Sequence, residues 1–143
     1  MRLFLDASVL LAAAGSPSGA SRAVFALAPA QGWVLVSSPY ALSEVLRNLR
    51  KLPAHATSEW LRLRPQVTMA DDVVSLDRPV IFGTSKDRPI LFTALAWAEV
   101  LLTLDKADFG ELLGGTFYGL SVLLPYDFLE RERSAGRLNP QGR

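Results

Sequence analysis

Short apolar runs recur along the chain, separated by segments in which apolar residues return at helical spacing. Arg2 to Leu5 reads as a short buried strand. Ala7 to Ala13 begins a helix, and after the loop Gly15-Ser16-Pro17-Ser18-Gly19 a second helix covers Ala20 to Ala28. Trp33 to Val36 reads as a second strand. Ser38-Pro39 gives an N-cap with proline at the first helical position, and the helix it starts runs to about Lys51, ahead of Pro53. Ala54 to Leu63 predicts another helix and Val67 to Met69 a third strand; Val80 to Phe82 fits a short strand or an extended loop. Asp87-Arg88-Pro89 opens a helix through Ala98. Val100 to Thr103 and Ser121 to Leu124 read as strands, and Pro125 starts a last helix to about Ser134.

Alternating strands and helices, with strands too short for a sandwich of two sheets, predict an α/β chain with a parallel sheet and helices on both faces. Right-handed crossovers then bring every strand C-terminus to one edge, where open α/β sheets bind ligands. One domain over residues 1–135 accounts for the pattern, and 136–143 (GRLNPQGR) reads as a flexible polar tail. The opening LFLDASVLLAAAGS resembles a targeting segment, but Asp6 is costly within one. Ile90 to Leu104 carries Glu99 and is shorter than the ~20 residues that span a bilayer. The expectation is a cytoplasmic protein with no membrane partner.

Composition narrows the chemistry. The 143 residues contain no cysteine and one histidine, His55, so thiolate sites, disulfides and histidine-rich metal sites are excluded. Any catalytic metal must sit on oxygen ligands, which points to Mg2+ or Mn2+. The net charge of +1 gives no long-range attraction to nucleic acid, although charge can be segregated locally.

The acids fall at telling places. Asp6 and Asp105 each follow an apolar strand, and Asp87 starts the helix that feeds the second of these strands. Neighbouring strands lie about 5 Å apart. Carboxylates that close repel, and a divalent ion removes the conflict. Each acid also has a plain structural role. Asp6, Asp87 and Asp105 fit helix N-caps, and Glu44 flanks the stripe Leu42, Val45, Leu46 and Leu49 as a solvated glutamate would. An acid at a helix start can cap and bind metal at once.

Taken together, LFLDASVLL, SEVLRNL, KDRPILFTAL and LLTLDKADF resemble the PIN-domain nucleases, closest to the prokaryotic toxin-like, VapC-related kind. The resemblance runs from Arg2 to about Leu129, ending on GLSVLLPYDFL. It implies a three-layer α/β/α fold with strand order 3-2-1-4-5, and endonuclease action on RNA with magnesium or manganese. The four family acids fall on Asp6, Glu44, Asp87 and Asp105, with Ser8 and Thr103 as supporting hydroxyls. Asp108, three residues on, is the alternative fourth acid. Arg47, Arg50, Lys51, Lys86 and Arg88 are available for phosphates or as a solvated face. The resemblance also implies a cognate antitoxin over the acidic edge and a homodimer, to which Phe25, Trp60 and Trp97 are available if they are not core.

Two other classes compete. A PIN-like chain can serve as a non-catalytic RNA-binding or assembly module, against which the complete acid set argues. A phosphotransfer domain also places aspartates at strand ends, but a haloacid-dehalogenase-type phosphatase needs an acid where Ser8 stands.

Overall fold

The computed structural model describes residues 1–73 and 88–138. Val80 to Phe82, Lys86, Asp87 and the tail from residue 139 lie outside the described residues. The order is β1 (Arg2–Leu5), α1 (Ala7–Gly15), α2 (Ala20–Gln31), β2 (Val34–Ser37), α3 (Pro39–Asn48), α4 (His55–Leu63) and β3 (Val67–Met69). It continues with α5 (Arg88–Trp97), β4 (Val100–Leu102), α6 (Lys106–Phe109), β5 (Thr116–Phe117), β6 (Leu120–Leu123) and α7 (Pro125–Ser134). Single 3-10 turns follow α3 and α4.

Local signals explain most boundaries. Asp6 caps α1 and Ser38 caps α3, with Pro39 at its first position. The second helix runs past Pro29, where the expected end at Ala28 fails. Pro29 lies in the last turn, and Gly32, left-handed at φ 70°, closes the helix by donating its N–H to Ala28 and Pro29 carbonyls.

The sheet has six strands in the order β3-β2-β1-β4-β6-β5. This corrects the expected order 3-2-1-4-5. Five strands are parallel, with β1 between β2 and β4, and β6 beside β4. The difference is β5, a two-residue strand that pairs antiparallel with β6 at the edge. Its hairpin turns on Tyr118 and Gly119, both at positive φ (49° and 88°), the backbone of a type I′ turn.

Strand residues alternate between two apolar clusters, one on each face. Leu3, Leu5, Leu35 and Leu102 join Leu10 of α1, Phe25 of α2, Trp60 of α4 and Phe128 of α7. Phe4, Val36, Leu101 and Val122 join Ala41 of α3, Ile90 and Leu91 of α5 and Phe109 of α6. Phe25 and Trp60 are therefore core, whereas Trp97 is exposed. Beyond α7, Arg137 donates to the buried Glu132 carboxylate and Leu138 packs on the first cluster. Among the described residues no helix is long and apolar enough to cross a membrane.

Because the strands are parallel, Asp6, Ser38, Thr103 and Leu124 all follow strand C-termini on one edge of the sheet.

Candidate metal centre

At that edge Asp6 is buried, and its backbone N–H donates to the Leu102 carbonyl of β4. Its carboxylate accepts three hydrogen bonds. Oδ1 takes the Ala7 N–H at 2.8 Å, and Oδ2 takes the Ser8 hydroxyl at 3.0 Å and the Thr103 hydroxyl at 2.7 Å. Both hydroxyls are themselves acceptors. Thr103 Oγ1 receives the Asp105 N–H at 3.1 Å, and Ser8 Oγ receives the Leu104 N–H at 3.0 Å. Two hydroxyls thus staple the β1–α1 junction to the β4–α6 turn.

Asp105 caps α6, with Oδ1 accepting the Asp108 N–H at 3.0 Å. Asp108 lies half-buried in the first turn of that helix. Burial pushes the Asp6 carboxyl above the ordinary value of 3.8; its three hydrogen bonds act in the opposite direction, and the charge of Asp105 adds to the rise. Among the described residues no cation offsets this, and Asp105 is the acid whose charge bears on Asp6.

Glu44 lies half-buried on α3, which follows β2 at the same edge and packs against α1 and α5. Its backbone carbonyl accepts the Asn48 side-chain amide. Asp6, Ser8, Thr103 and Asp105 are therefore brought into one hydrogen-bonded unit, and Glu44 is placed on a neighbouring helix. Asp87 lies outside the described residues. Among those described, no three acidic or histidine side chains form a group able to hold a metal ion.

One partner escaped the sequence: the Leu104 amide, which fixes Ser8. A backbone donor leaves no mark in residue type, and only the small polar residue two positions after Asp6 hints at it.

No protein-family model matches the chain, and no curated protein gives a significant sequence match.

The donor type, though not the number of acids brought together among the described residues, suits a hard divalent ion. The donors are carboxylate oxygens, the chain lacks thiols, and Asp6 is desolvated beside a second acid with no described cation. A bound cation would offset the charge of Asp105 that acts on Asp6.

Proposed function

We propose that the chain is a metal-dependent endoribonuclease of the PIN-like type, with that family's three-layer α/β/α arrangement. The observation that carries this reading is the buried Asp6 carboxylate beside Asp105 at the C-terminal edge of a parallel sheet, with the Thr103 hydroxyl between them. The apolar clusters on both sheet faces support the layered arrangement.

Asp6 and Asp105 would hold Mg2+ or Mn2+, with Glu44 and Asp87 completing the set. The ion supplies positive charge that polarises a phosphodiester and stabilises the charge developing on it during hydrolysis. Thr103 and Ser8 favour the ionised form of the Asp6 carboxylate against the effect of burial and aim it, because each spends its only proton on Oδ2. The Asp108 N–H fixes the rotamer of Asp105. Burial of Asp6 keeps bulk water from competing at that oxygen.

The test is cleavage of a short single-stranded RNA by the purified chain with manganese or magnesium. Asp6→Asn and Asp105→Asn, checked for fold by circular dichroism, should each abolish cutting. Undiminished cleavage by both variants overturns the assignment. RNA that is bound but left intact with either ion points to a non-catalytic module instead.

A further inference from the structure

The carboxylate of Asp6 can be no better placed than the backbone beneath it. That backbone is the Leu5–Asp6 peptide, a rigid planar unit that ends on the Cα of Asp6. Its N–H donates to the Leu102 carbonyl of β4 at 3.1 Å. Its C=O points the opposite way, towards β2, and accepts the Ser37 hydroxyl at 2.9 Å. The plane is held from both sides, by backbone on one and by a side chain on the other.

A side chain is required because β1 and β2 part at this point. Val34 donates its N–H to the Met1 carbonyl, and the register runs on to Phe4 opposite Val36. A parallel ladder repeats every two residues, which would bring the Ser38 N–H to the Leu5 carbonyl. Ser38 instead leaves the strand as the cap of α3, its hydroxyl accepting the Ala41 N–H and its carbonyl the Leu42 N–H. The hydroxyl one residue earlier takes the carbonyl that the ladder gives up.

Ser37 is itself fixed. It is fully buried, and its carbonyl accepts the Ala70 N–H at the exit of β3, at 2.8 Å. One residue thus ties the end of β3 to the end of β1, and the helix that carries Glu44 starts directly after it. A buried serine bonded to a strand carbonyl is commonly no more than a satisfied polar group. What sets Ser37 apart is that the carbonyl belongs to the peptide that carries Asp6.

We propose that Ser37 is a positioning residue of the acidic edge. By holding the Leu5–Asp6 peptide against β2, it sets the Asp6 carboxylate relative to α3 and so to Glu44. The proposal rests on the nuclease reading for the reaction served. Ser37 acts only through Asp6, since its burial keeps it from substrate.

Ser37→Ala removes a single oxygen atom, and three measurements on the full chain decide its role. In metal-free solution, hydrogen exchange followed by NMR should show the Asp6 amide exchanging about fivefold faster, the factor that one hydrogen bond contributes. The Phe4 amide, inside the same strand, should keep its parent rate. With manganese, kcat for a short RNA should fall about tenfold, the low end for groups that orient a metal-binding side chain, and KM should stay unchanged. The manganese concentration that gives half of the thermal shift should rise by a similar factor. A serine that serves stability alone gives another pattern: Phe4 and Asp6 amides quicken together, the urea midpoint falls, and kcat and the manganese requirement stay at parent values. That pattern, or an Asp6 amide that keeps its rate, overturns the proposal. A parent chain that neither cuts RNA nor responds to manganese removes the nuclease reading, and selective loosening of the Asp6 amide would then still retain Ser37 as the residue that sets Asp6.

Discussion

A hydroxyl has one proton to give, and the hydroxyls of Thr103 and Ser8 both give it to the same oxygen of Asp6 while accepting a backbone N–H. Thr103→Val keeps the shape, strips one donor from a buried carboxylate and leaves the Asp105 amide without its acceptor. The expected loss is about 1–3 kcal/mol, measured by urea unfolding. The same change should push the Asp6 carboxyl higher still, since the Thr103 bond is the largest influence lowering it. Asp6 itself should titrate above 3.8, read from its carboxyl carbon resonance in metal-free solution. Between 3.8 and the raised value the folded chain holds a proton that the unfolded chain has released. The Asp6 contribution to stability therefore falls as pH rises through that window and is least favourable above it. A carboxyl carbon that titrates at or below 3.8 would remove this account. The position of Asp6 was legible because one acid closing an apolar strand stands out. The double use of each hydroxyl was not, because it depends on amides of a turn distant in sequence.

Short elements are where sequence and structure part. The turn that carries Asp105 is one turn of helix, α6, ended by Gly110. In an ordinary helix glycine to alanine stabilises by about 1 kcal/mol. Here a Cβ on residue 110 would stand 2.4 Å from the Lys106 carbonyl oxygen, which is backbone and cannot swing aside. Gly110→Ala should therefore destabilise, by about 1–3 kcal/mol as overpacking does. A denaturation midpoint equal to or above that of the parent chain would show that the turn yields freely. The parallel strands were legible because each is a compact apolar run with a helix signal behind it. The β5 strand was not, because two residues carry no period and its turn uses Tyr118 where asparagine or aspartate would announce a positive φ. The end of α2 was misplaced for a related reason. Proline usually marks a break, yet the helix continues two residues past Pro29, which removes one N–H from its last turn, and Gly32 is the true stop.

Across the whole molecule the parallel sheet collects at one edge what the chain scatters along its length. Residues 6 and 105 meet because β1 and β4 are neighbours in register, with Leu5 opposite Leu102. The chain as a whole is nearly neutral, at +1, so the edge is a local separation of charge, with acids at the sheet and helix N-termini beside them. Burial, and to a lesser degree the charge of Asp105, disfavours the ionised Asp6, a cost that a bound cation would offset, and an ion that binds only the folded state must stabilise it. At about 100 times its dissociation constant the gain is about 2.7 kcal/mol. For a chain of this length each kcal/mol corresponds to roughly 2–4 °C in Tm, so a rise of about 5–10 °C is expected with saturating manganese. Asp6→Ala and Asp105→Ala should each lose most of that rise even if their metal-free midpoints differ from the parent, because the readout is the shift within each variant. Calcium, which accepts carboxylates but favours more ligands than this pair supplies, should give a smaller shift. An unchanged Tm in the parent chain with either magnesium or manganese at millimolar concentration would mean that the acids serve as helix caps alone, and the metal centre would fall with it.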